Sequence, residues 1–166
     1  MNKKISALLL ATCLISAVSH AEVKQHHMAV VFIQNAKSSE LSLDAKHAGD
    51  YTLTLHHPEA YVSYFSDRPD RVTGMVATTK FLKLWKSSNS SNFKNNPPNA
   101  ALETKDSNLI GTLTDPHYNK KTDDVTYHFS PLNKVPSSIT PGKNLGYTVL
   151  FVDDISWDPG GFGNVG

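Results

Sequence analysis

Arg68 and Arg71 are the two arginines of this chain, and both sit in Tyr64-Phe65-Ser66-Asp67-Arg68-Pro69-Asp70-Arg71. A guanidinium presents five donors in a rigid fork, which suits bidentate pairing with carboxylate, phosphate or main-chain carbonyls in a way lysine cannot copy. Two chemistries follow. The forks are an internal clamp bonding carbonyls or Asp side chains around a turn, or they bind a carboxylated or phosphorylated ligand while Tyr61, Tyr64 and Phe65 stack on its ring. Asp67 and Asp70 balance the local charge and favour the clamp. As a binding surface, the candidate residues are Tyr64, Phe65, Asp67, Arg68, Asp70 and Arg71.

Other donor sets are scattered. His26-His27-Met28 and His56-His57 offer imidazole and thioether groups suited to copper or zinc. Neighbouring strand residues point to opposite faces, and no His-x-His or H-x-x-x-H spacing occurs. His47, His117 and His128 read as isolated. No metal ligand or cofactor is therefore assigned, and a metal-handling role stands as the alternative. Asp153, Asp154 and Asp158 lack the spacing of an EF-hand loop. For hydrolysis there is no G-x-S-x-G elbow, so a small hydrolase working through Asp67, Asp70 and Glu59 is a third reading. Asn89-Ser90-Ser91 matches an N-glycosylation acceptor.

Elements that would position these groups are mostly short strands. Ala29 to Ile33 is a continuous apolar run, as in a strand covered on both faces. Leu41 and Leu43, then Tyr51, Leu53 and Leu55, alternate with polar residues. Strands are further expected at Val62 to Phe65, Val72 to Thr78, Asn99 to Leu102, Leu109 to Thr114 (ended by Asp115-Pro116), Val125 to Phe129 and Leu145 to Val152. Lys120 to Asp124 reads as a charged hairpin tip and Pro131 to Lys143 as a loop. One helix is expected, capped by Thr78 or Thr79, with Phe81, Leu82 and Trp85 on its apolar side. This pattern predicts an all-β fold, an antiparallel β-sandwich with one short helix, with a small β-barrel as the alternative.

Lys3 and Lys4, the apolar run Ile5 to Val18 and Ser19-His20-Ala21 have the form of a signal peptide over residues 1–21, cleaved before Glu22. Residues 22–166 then form a single domain with a loose glycine-rich tail, periplasmic or secreted. Removing the leader takes away Cys13, the one cysteine, so disulfides and thiolate metal sites are excluded from the remainder. It also leaves a near-neutral charge balance, which argues against nucleic acid as a partner. The apolar run is too short to span a bilayer. The expected partner is an envelope or extracellular component, or a small ligand.

The blocks Tyr64-Phe65-Ser66-Asp67-Arg68-Pro69-Asp70-Arg71, Phe81-Leu82-Lys83-Leu84-Trp85 and Pro97-Pro98-Asn99-Ala100-Ala101-Leu102 resemble, in that order, a group of small secreted bacterial proteins without an assigned activity. The resemblance covers about the middle third of the chain. It implies that the three pieces act together, with the arginine turn against the Pro-Pro segment and the helix packed between them.

Overall fold

The computed structural model describes residues 28–86 and 93–157, with side chains from 29 to 153 within those ranges. The proposed leader, His26, His27, the Asn89 acceptor, Asp158 and the glycine-rich tail lie outside the described residues. The fold is all-β and antiparallel with one short helix, as the alternation predicts. Its strands are β1 (Met28–Leu43), β2 (Tyr51–Pro58), β3 (Tyr61–Phe65), β4 (Thr73–Ala77), β5 (Asn99–Thr104), β6 (Asn108–Asn119), β7 (Asp124–Pro131) and β8 (Thr148–Trp157).

The long β1 organises the sheet. One edge of its first half pairs with β8; the opposite edge takes β3 at Val31–Ile33 and then β2 from Ala36 to Leu43. The β1–β2 pairing closes β1, β2, β7, β6, β5 and β8 into a ring, and the β3–β4 hairpin hangs outside it. Buried positions on β1 run Val30, Phe32, Gln34, Ala36 and then Ser39, Leu41. The inward phase therefore slips by one between Ala36 and Ser39, where the strand leaves β8 and takes β2. This is how a single strand turns a corner from one part of a sheet to another. Ser39 Oγ and Thr148 Oγ1 share a buried hydrogen bond of 2.7 Å at that corner.

Strict alternation carries the other walls. Leu53 and Leu55 on β2 and Val125, Tyr127 and Phe129 on β7 all point inward. On β6 the expected stop at Asp115-Pro116 is not a stop. The register shifts between Thr114 and His117, Asp115 takes φ 47°, and pairing with β7 resumes to Asn119. A bulge absorbs the proline, whose missing N–H would interrupt a regular ladder.

The helix is α1 (Thr78–Phe81), followed by a 3-10 turn at Leu82–Trp85. Neither threonine caps it. Ala77 occupies the cap position, and the Thr78 hydroxyl donates to the Glu59 carbonyl at 2.6 Å, tying the helix to the start of the hairpin. So short a helix depends on docking. Phe81, Leu82, Leu84 and Trp85 are all buried, and Trp85 stands edge-on to Phe81 at 5.4 Å and Phe93 at 4.6 Å.

Candidate functional site

The arginine turn joins β3 to β4, with a cis bond between Arg68 and Pro69. Its closure rests on Ser66, not on the guanidinium groups. Ser66 donates its N–H to the Val72 carbonyl at 2.8 Å, and its hydroxyl accepts the Val72 N–H at 2.9 Å. Arg71 N–H meets the Asp67 carbonyl at 3.0 Å. Arg68 Nε lies 3.9 Å from Asp67 Oδ1, with side chains 75% and 88% exposed. The Arg71 side chain is exposed too, and has no hydrogen-bond or ion-pair partner among the described residues. The expected clamp is therefore corrected: the short Ser66 main chain and hydroxyl hold the turn from within, while both arginine side chains extend into solvent. Arg68→Lys and Arg71→Lys should leave the thermal midpoint unchanged, while Ser66→Ala lowers stability by about 1 kcal/mol; differential scanning calorimetry checks both. The helix does lie near the Pro-Pro segment, since the Trp85 indole and the Pro98 carbonyl both bond Leu113. The forks take no part.

Of the residues named from the sequence, Phe65, Asp67, Arg68 and Asp70 line one cleft of about 320 Å³, whose far wall is Ala29, Val30, Val31 and Asp153. Tyr64 faces the other way. Its ring lies over Gly74 and reaches Phe32 at a centroid distance of 6.0 Å. Arg71 stands outside the cleft. Glu59 lines a different depression, with Thr78, Tyr118 and Asp123, so the three carboxylates imagined for hydrolysis do not converge.

Sequence reasoning missed the outer face and free edge of the hairpin. Tyr61 pairs with Ala77, Ser63 with Met75 and Phe65 with Thr73. One face thus shows Tyr61, Phe65 and Met75, of which Met75 is 70% exposed. A depression of about 350 Å³ is lined by Tyr61 and Met75 from this face, Tyr64 and Val76 from the other, and Lys80. Lined by both faces, it runs along the outer edge of β4. Among the described residues that edge has no strand partner. Arg71 stands before β4 and Lys80 after it. Residues 66–86 hold five cations, Arg68, Arg71, Lys80, Lys83 and Lys86, against two anions, Asp67 and Asp70. The signal for this was the exposed Met75 between Gly74 and Val76, which alternation alone cannot separate from core.

The His56-His57 pair is divided between two carboxylates of the β6–β7 turn. His56 Nδ1 lies 2.8 Å from Asp124 Oδ1, and His57 Nδ1 3.4 Å from Asp123 Oδ2. The Thr122 hydroxyl, and after it His56, hold the Asp124 carboxyl below its usual range, against the opposing effect of burial. Tyr118 donates to Asp123 at 2.9 Å, which raises its phenol. These histidines are two separate pairs, not one chelate.

His47 and His128 are not isolated. The loop between β1 and β2 folds back through main-chain bonds from Asp44 N–H to Asp50 and from Asp50 N–H to His47, setting Asp44, His47 and Asp50 over His128 on β7. Asp44 Oδ1 accepts the Lys46 and His47 N–H groups at 2.6 and 3.2 Å. Asp44 Oδ2 faces His128 Nδ1 at 2.9 Å and His47 Nδ1 at 3.5 Å. The Lys46 N–H, ahead of the imidazoles, brings the Asp44 carboxyl down to about 2. His128 Nε2 lies 3.0 Å from Asp50 Oδ2. His117 lies elsewhere, in a depression with Lys83 and Lys86. Compared with protein-family models, with curated proteins and with solved structures, the chain finds no match in any of the three.

Proposed function

We propose that the chain is an exported binding module, periplasmic or secreted, that takes up an extended acidic polypeptide segment along the outer edge of β4. The observation that supports this reading is the open β4 edge beside a ring whose other strands are paired on both sides among the described residues. Outward N–H and C=O groups of an edge strand are a template for one more strand. Tyr61, Tyr64 and Met75 supply apolar contact beside that edge. Arg71 and Lys80 flank it with positive charge, which selects an acidic segment. Export rests on the leader-like residues 1–21.

An N-acetylated, fluorophore-labelled octapeptide of alternating Glu and Val tests the reading by anisotropy. The expected result is binding that weakens with salt, falls about tenfold in the Arg71→Glu, Lys80→Glu double variant, and slows amide exchange at Thr73 to Ala77. Absence of binding at millimolar peptide overturns it, as does equal affinity for a Lys-Val octapeptide. N-terminal sequencing of the protein from fractionated cells tests export, with Glu22 as the expected first residue.

A further inference from the structure

We propose that Asp44, His47 and His128 form a binding site for a zinc-class divalent cation, with Asp50 as the group that orients His128. One donor atom from each of the three lies within 4.8 Å of the others. Ligands held about 2.0–2.1 Å from a tetrahedral zinc stand roughly 3.3 Å apart. Asp44 Oδ2 sits 2.9 Å from His128 Nδ1 and 3.5 Å from His47 Nδ1, so these two spacings bracket the one a cation needs, and the donor atoms of the two imidazoles lie within 4.8 Å of each other.

The division of labour within the carboxylates supports the same site. Asp44 spends Oδ1 on main-chain N–H groups of its own loop, which fixes Oδ2 toward the two imidazoles as a single-oxygen donor. His128 Nε2 lies 3.0 Å from Asp50 Oδ2; with a cation bound, Asp50 would accept the Nε2 proton and leave the Nδ1 lone pair for the metal beside Asp44 and His47. A carboxylate behind a histidine is the usual outer support of a metal ligand, since it sets both tautomer and ring direction. Asp44 and His128 are largely covered, with side chains 14% and 21% exposed, whereas His47 is 62% exposed. The cation would therefore enter from the His47 side, and its fourth position would face water, the pattern of a zinc site with three protein ligands and an open coordination place. Two imidazoles and a carboxylate also suit copper(II).

Calorimetric titration of chelator-treated protein with zinc chloride, and separately with copper(II), tests the site. The expected result is one zinc ion bound per chain at micromolar affinity. His47→Ala, at an exposed loop position that cannot unfold the chain, should weaken binding about 10–100-fold. Asp50→Asn should weaken it about tenfold while the melting midpoint measured in chelator stays unchanged. The His47 and His128 ring protons should shift together on zinc addition in NMR spectra. The proposal is overturned if wild type takes up no zinc at submillimolar concentration, or if His47→Ala binds as wild type does. It is equally overturned if binding is lost in a His26→Ala, His27→Ala variant and copper alone is bound. A His128 merely bridging two aspartates predicts no uptake at all.

Discussion

Trp85→Ala lowers stability by about 3–5 kcal/mol, a large share of the roughly 5–15 kcal/mol available to a domain. The indole is 5% exposed and edge-on to Phe81 and Phe93, and its removal opens a hole between the helix and the ring. It also strands the Leu113 carbonyl, which accepts the indole N–H at 3.0 Å. Trp85→Phe separates the two contributions: it keeps most of the packing and loses only the donor, for about 1–3 kcal/mol. Urea denaturation of both variants checks the split, and thermal unfolding should show the alanine's midpoint lowered on the order of 10 °C. An alanine variant as stable as wild type would mean that the core does not depend on the docked helix.

Gly111→Ala is expected to cost about 3 kcal/mol, the upper end for overpacking. A Cβ there would lie 2.4 Å from the Phe129 ring and 2.7 Å from the Ser130 carbonyl oxygen. Phe129 is fully buried, so its ring has no room to swing aside, and the carbonyl belongs to the paired β7 strand. Neither neighbour can yield cheaply. Thermal denaturation followed by near-ultraviolet circular dichroism reads both the lost stability and the displaced ring. The same substitution at Gly49, where nothing lies within 4 Å but φ is +95°, tests conformation alone.

The sequence was most legible where a strand keeps one face inward for its whole length. Tyr51 to Leu55 and Val125 to Phe129 announce themselves by alternation, and their inward residues are as expected. β1 looks like two fragments in the sequence because its centre, Gln34 to Glu40, is polar and its inward phase slips after Ala36. Buried Gln34, Ser39 and Thr148 look like surface residues in a one-dimensional pattern. Pro116 signals a break in β6, and only the register against β7 reveals a bulge. The arginine turn was correctly located but wrongly explained: Ser66 holds it, and a serine beside two arginines gives no sign of its importance. The His47 and His128 constellation was illegible for a different reason. Its members are separated by some eighty residues and come together through the β2–β7 pairing, which no local spacing encodes.

The shared boundary between β1 and β8 has a kinetic corollary. The first and last described strands lie side by side, and β5 too completes its pairing on β8. Until the chain has been made through residue 157, two inner strands keep an empty flank, and local hairpins alone cannot finish the enclosure. Contacts spanning nearly the whole polypeptide make assembly slow. Truncation within β8 should therefore yield a collapsed, protease-sensitive chain instead of a slightly weakened native one.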